Sequence, residues 1–122
     1  GDPSRLSTDV GPVIDDEAAQ GIRRHLQRLG QQGRVRLGGH SDGRFILPHL
    51  VEVPGLSTIT HEIFGPVLQV VRWSGDPAQV VASINALGFG LTLGLQTRID
   101  SRARALAAQA RVLGRDAGAI GA

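Results

Sequence analysis

The run Pro66-Val67-Leu68-Gln69-Val70-Val71-Arg72-Trp73 decides the fold. It is nearly continuously apolar and rich in β-branched residues, which is the pattern of a strand covered on both faces. Downstream, Asp76 and Pro77 stand at the N-cap and first positions of a helix. Val80, Val81, Ile84 and Leu87 then form one apolar stripe, and Gly88 follows as a stop. Leu91 to Thr97 is a second strand-like run. Strand, helix and strand between Val67 and Thr97 occupy 31 residues, about the length of a βαβ unit. The expectation is α/β architecture, with the two runs side by side in a mainly parallel sheet flanked by helices.

Upstream, Asp15, Asp16 and Glu17 sit where a helix N-terminus favours negative charge, and Ala18, Ile22, Leu26 and Leu29 follow on one face. A helix is predicted from Asp15 to Leu29, with Arg23, Arg24 and Arg28 in its later turns and Gly30 ending it. Val35 to Leu37 and Phe45 to Val53 read as extended, the second interrupted by Pro48, which cannot donate to a ladder. At the other end, Asp100 is placed to cap a helix from Ser101 to Leu113, with Ala103, Leu106, Ala107 and Ala110 inward and Gly114 after it.

Composition limits the chemistry. At 122 residues, 41% hydrophobic and 20% charged, the chain is one domain's worth of globular material at most. It contains no Cys, Lys, Met or Tyr, which excludes a thiol nucleophile, a Schiff-base lysine, cysteine zinc sites and disulfides within it. It opens on Gly1-Asp2-Pro3 without an initiator Met, so a piece of something longer is expected. Thirteen arginines against eleven acids leave a net charge of only +2, and they are scattered from Arg5 to Arg115 among 3% aromatics. Nucleic acid is not the expected partner. No long apolar run or leader points to a membrane, and the cytoplasm is the default compartment.

Most candidate sites fail on spacing. His61-Glu62 lacks the second histidine of a zinc-protease helix, since position 65 is glycine. His25, His40 and His49 share no ligand spacing and read as solvated or core-edge residues, so no metal is expected. Gly88 to Gly94 leads into an apparent strand, the wrong direction for a phosphate loop. Ser57, Thr58 and Thr60 have no activating base at a recognisable spacing. What remains is Thr60-His61-Glu62-Ile63-Phe64-Gly65-Pro66-Val67. A Gly-Pro turn there would hold Glu62 and Phe64 in defined directions, a carboxylate for adjacent sugar hydroxyls beside a flat apolar wall. From spacing alone the alternative is an ordinary polar loop with Phe64 tucked into the core.

The sequence resembles the aldehyde dehydrogenase superfamily. The blocks that carry the resemblance stand in order: Asp9 to Ile14, Gly43 to Pro48, Glu62 to Val67, Asn85 with Gly88 to Leu91, and Thr97 to Asp100. Residues 1–112 read as a partial catalytic domain of that superfamily and 113–122 as a divergent or truncated tail. Gly1-Asp2-Pro3, Val67 to Arg72, Leu91 to Gly94 and Thr97 to Asp100 are similar to the dehydrogenase module of the bacterial proline utilization A subfamily.

The resemblance implies oxidation of L-glutamate γ-semialdehyde, in equilibrium with pyrroline-5-carboxylate, to L-glutamate with NAD as cofactor. It implies that Glu62 binds the ribose on the nicotinamide side and that Phe64 packs near the nicotinamide. It assigns no catalytic residue to this chain, because the family's cysteine and general-base glutamate lie upstream of its first residue. The parent would then be a homo-oligomer acting on a small aldehyde, and the chain alone would be inactive. Two other readings compete: a non-catalytic aldehyde-dehydrogenase-like assembly domain, and a basic nucleic-acid-binding module resting only on the arginines.

Overall fold

The structure, a computed structural model, describes residues 1–111. They fall into two compact units, Gly1–Arg72 and a second from Trp73 onward.

The first unit is a three-stranded sheet with one helix on it. Helix α1 spans Asp16–Gln32 and is capped by Asp15, whose carboxylate accepts from the Ala18 amide at 2.7 Å. Its buried face is Ala19, Ile22, His25 and Leu29. The predicted apolar stripe is thus shifted by one residue at two of its four positions, and a histidine occupies the core position expected of Leu26.

The predicted stop at Gly30 is overturned, because α1 runs through it to Gln32. The chain turns at Gly33, where a Cβ would lie 2.6 Å from the Glu52 carbonyl and 3.3 Å from Val51 Cγ1. The helix ends where its backbone meets the sheet. Gly33→Ala should therefore cost at least about 1 kcal/mol through overpacking, read as a lower unfolding midpoint in urea.

Strand β1 is Arg34–Leu37, β2 is His49–Val53 and β3 is Val67–Val71, in the order β1-β2-β3. β1 pairs antiparallel with β2, with a register shift between Val35 and Leu37, and β2 pairs parallel with β3 from His49 opposite Val67 to Val53 opposite Val71. The expectation of a mainly parallel sheet is corrected to a mixed one. Phe45 to Leu47 does not join β2. Pro48 has no amide to donate to a ladder, and the Phe45 and Leu47 amides instead donate to the Asp42 carbonyl and the Ser41 hydroxyl.

Two small cores hold α1 on the sheet. Ala19, Ile22 and Ile46 form one, with Val13, Leu26, Ile63 and Val67 packed on it; Leu29, Val51 and Val53 form the other, with Val67 and Val71. Parallel pairing obliges the chain to return from the end of β2 to the beginning of β3. Residues 54–66 make that return through one 3₁₀ turn, Leu56–Thr58, and they carry the Thr60 to Pro66 motif.

In the second unit, helix α2 spans Pro77–Ala86, capped by Asp76 on the Ala78 amide at 2.9 Å, with Val81 buried and Gly88 at φ 76° just beyond. Helix α3 spans Asp100–Ala107. Asp100 lies in its first turn, facing Arg104 at 3.9 Å, and Ile99 takes the N-cap position. Ala110 follows the helix, while Leu113, Gly114 and the 113–122 tail lie outside the described residues. The Asn85 side chain bridges to the Gln109 carbonyl and the Arg111 amide, each at 2.9 Å.

The largest correction concerns Leu91 to Thr97, which is irregular rather than a strand. A strand needs a ladder partner and a half-buried surface. Among the described residues this segment has no ladder partner, and Leu91 is exposed. The parallel partner of β3 is β2, upstream of it.

Candidate cofactor-binding loop

The second half of the return connection is pinned to α1. Ile63 points inward, onto the Ala19, Ile22 and Ile46 cluster. Gly65 closes on Ile22 so tightly that a Cβ there would meet Ile22 Cδ1 at 2.4 Å and Cγ1 at 3.1 Å. The Gly65 amide donates to the Ile63 carbonyl at 3.1 Å and the Val67 amide to the Gly65 carbonyl at 2.8 Å, tight turns that deliver the chain into β3.

With Ile63 inward, its neighbours on either side are outward. Glu62 is exposed and Phe64 is 83% exposed, so the alternative in which Phe64 joins the core is overturned. Glu62 hydrogen-bonds no other side chain or amide among the described residues. The result is an acceptor-only carboxylate and an apolar ring presented two residues apart on a segment fixed by the residue between them. Such a pair can accept hydrogen bonds from adjacent hydroxyls while covering a flat heterocycle.

Beneath the start of this loop lies a cluster that spacing did not reveal. His25 is only 3% exposed, and its Nδ1 accepts from Arg28 Nη2 at 2.9 Å, which places the ring proton on Nε2. Nε2 is buried with no partner among the described residues. The same Arg28 Nη2 stands 3.4 Å from His61 Nδ1, which also lies 3.0 Å from the Thr60 hydroxyl. The two imidazoles meet edge to face at 5.0 Å. His25 is thus a core residue, not a solvated one, and its place three residues after Ile22 and four before Leu29 was the available signal.

Burial, with Arg28 and His61 nearby, holds the His25 pKa below its ordinary 6.5. The unfolded chain then binds a proton that the folded chain does not. Stability from this group is fully present above pH 6.5 and is lost as pH falls through the folded value. The urea midpoint should drop between pH 7.5 and 5.5, and His25→Gln, which keeps an acceptor for Arg28 but cannot titrate, should flatten that dependence.

A second ionic cluster spans the sheet. Glu52 on β2 receives Arg36 from β1 on one oxygen, with Nε at 2.8 Å, and Arg72, just past β3, on the other at 2.6 Å. Both guanidinium groups hold its carboxyl below the ordinary 4.5. This pairing ties three strands and leaves no free acid, so it is structural. Grooves of about 460 and 370 Å³ open beside these clusters, the first lined by Arg28, Gln32, Pro54, Ser57, Thr58 and Thr60 and the second around Glu52. Neither is lined by Glu62 or Phe64. Among the described residues no three His, Cys, Asp or Glu side chains are grouped to hold a metal, and no helix is long and apolar enough to cross a membrane.

A helix-covered mixed sheet whose return loop carries Glu-x-Phe-Gly-Pro defines the class: the chain belongs to the aldehyde dehydrogenase family, whose profile matches residues 1–117. More narrowly, it is similar to the bifunctional protein PutA of Salmonella typhimurium, at 44% identity over 111 residues that cover 82% of this chain and 8% of that protein. The crystal structure of the Bradyrhizobium japonicum proline utilization A mutant D778Y superposes with a TM-score of 0.87 and 39% identity, over 92% of this chain and 12% of that one. An NAD-dependent benzaldehyde dehydrogenase from Corynebacterium glutamicum matches at a TM-score of 0.83 and 30% identity, covering 93% of this chain and 25% of its own. The chain therefore spans under a tenth of the curated PutA relative it matches.

Proposed function

We propose that this chain is a segment of an NAD-dependent aldehyde dehydrogenase that oxidises L-glutamate γ-semialdehyde, in equilibrium with pyrroline-5-carboxylate, to L-glutamate. Glu62 and Phe64 are its contribution to the nicotinamide-ribose end of the cofactor site. The observation that carries this reading is the alternation around Ile63: the partly buried residue, packed on the core, anchors the loop, and the carboxylate and the ring on either side stand free. A bound NAD supplies the hydride acceptor. Glu62 offers two acceptor oxygens to vicinal hydroxyls, and its charge strengthens both bonds. Phe64 offers an apolar face that keeps water from the ring it covers.

With no cysteine in the 122 residues, the thiol nucleophile must come from other parts of the parent, and the family resemblance implies the same for the carboxylate base. Exposure of Val35, Leu37, Leu47, Phe64 and Leu68 supports a larger protein that covers them. The parent is read as a cytoplasmic homo-oligomer, with no role for nucleic acid in this segment.

The parent should reduce NAD when given pyrroline-5-carboxylate, and the 122-residue chain alone should give no turnover. Turnover by the isolated chain would overturn the assignment of the nucleophile to another part of the parent. A parent that neither binds NAD nor oxidises the aldehyde would favour the non-catalytic assembly domain.

A further inference from the structure

The motif loop is held on α1 at three points, the middle one being Ile63 on the cluster of Ala19, Ile22 and Ile46. Gly65 lies against Ile22 at its end, and His61 meets Arg28 and His25 at its start. We propose that Arg28 is a positioning residue: by bridging the Nδ1 atoms of His25 and His61 through one guanidinium nitrogen, it ties the start of the loop to α1 and sets the direction of Glu62. The inference rests on the reading of Glu62 as a ribose ligand.

The bridge is built from a fixed side. His25 is buried in α1, so its ring is held by packing, and its Nδ1 lone pair orients the guanidinium at 2.9 Å. His61 is exposed and has no packing of that kind. Its links are the Arg28 nitrogen, the adjacent Thr60 hydroxyl and the edge of the His25 ring. Of these, Thr60 belongs to the same loop and cannot anchor it. Ile63 holds Glu62 to α1 from its C-terminal side; on the N-terminal side that role falls to Arg28 and the His25 ring. Since Glu62 follows His61 directly, freedom at His61 passes into the carboxylate's direction. A preorganised ligand group loses less entropy on binding than a mobile one.

The test has two readouts. In the 122-residue chain, Arg28→Leu should lower the backbone ¹⁵N order parameters of residues 61–64 toward those of a flexible loop while α1 and β2 stay rigid, and Arg28→Lys should recover part of the order. His61→Ala, at an exposed position, should reproduce the local effect and decides the matter if the Arg28→Leu chain does not fold. Unchanged order parameters at residues 61–64 in both variants would overturn the proposal.

In the parent enzyme, Arg28→Leu should weaken NAD binding about two- to tenfold. Added to Glu62→Gln it should have almost no further effect, because one residue acts through the other. Additive losses would overturn positioning by Arg28 while leaving Glu62 in the site. An unchanged NAD affinity in Glu62→Gln alone would instead overturn the ribose-ligand reading.

Discussion

Leu29→Ala is expected to unfold most of the first unit under mild denaturant, at a cost of about 2–5 kcal/mol. Leu29 is fully buried, at 0% exposure, and packs with Val51 and Val53 of β2 and with Val67 and Val71 of β3. It is the α1 side chain in the core cluster that reaches both parallel strands, so truncation leaves a cavity that neither strand can close without leaving the other. Only six buried apolar residues hold this unit, and a small domain has little stability in reserve. Urea unfolding followed by far-ultraviolet dichroism reads the change. A midpoint within error of the unsubstituted chain would mean that α1 is not docked through Leu29.

Glu62→Gln in the parent enzyme is expected to lower kcat/KM by about 1.5–3 kcal/mol, roughly 10- to 150-fold, with the fold retained. Glutamine keeps the length and one carbonyl acceptor but replaces the other acceptor by a donor and removes the charge. The two hydroxyls of a ribose would then face a single acceptor. Because Glu62 is exposed and Ile63 does the anchoring, the substitution should leave the thermal midpoint unchanged. Steady-state kinetics with NAD and pyrroline-5-carboxylate, beside a melting curve, separate the two effects. Unaltered kinetics would remove Glu62 from the site.

Local signals identified most elements. Asp76 caps the helix expected of it, the first helix begins at the acidic run that marked its start, and Val67 to Val71 forms a strand in a parallel pair. The errors arose where a distant segment decides the outcome. Gly30 had the chemistry of a helix stop, but the helix runs on to Gln32 and ends at Gly33, where the close approach of the Glu52 carbonyl leaves no room for a Cβ. Leu91 to Thr97 had the composition of a strand, yet composition supplies no ladder partner, and β3 found its partner upstream. Phe64 could be read inward or outward from spacing; the inward contact of Ile63 decides it.

The candidate site divides in the same way. Glu62 and Phe64 stood out because an acid, an aromatic and a rigid turn lie together in sequence. Arg28 and His25 did not, because they come within reach of His61 only when α1 folds across the return loop. A histidine in a helical stripe is chemically ordinary until burial removes its water. That burial also gives the pH dependence expected of His25, which a sequence cannot indicate without knowledge of what covers the ring.

The most direct test is a crystal structure of the parent enzyme with NAD bound. The Glu62 carboxylate should lie about 2.5–3.0 Å from both hydroxyls of the nicotinamide-side ribose, with Phe64 against the nicotinamide. A carboxylate directed into solvent, or engaged by protein groups with the ribose out of its reach, would contradict the assignment.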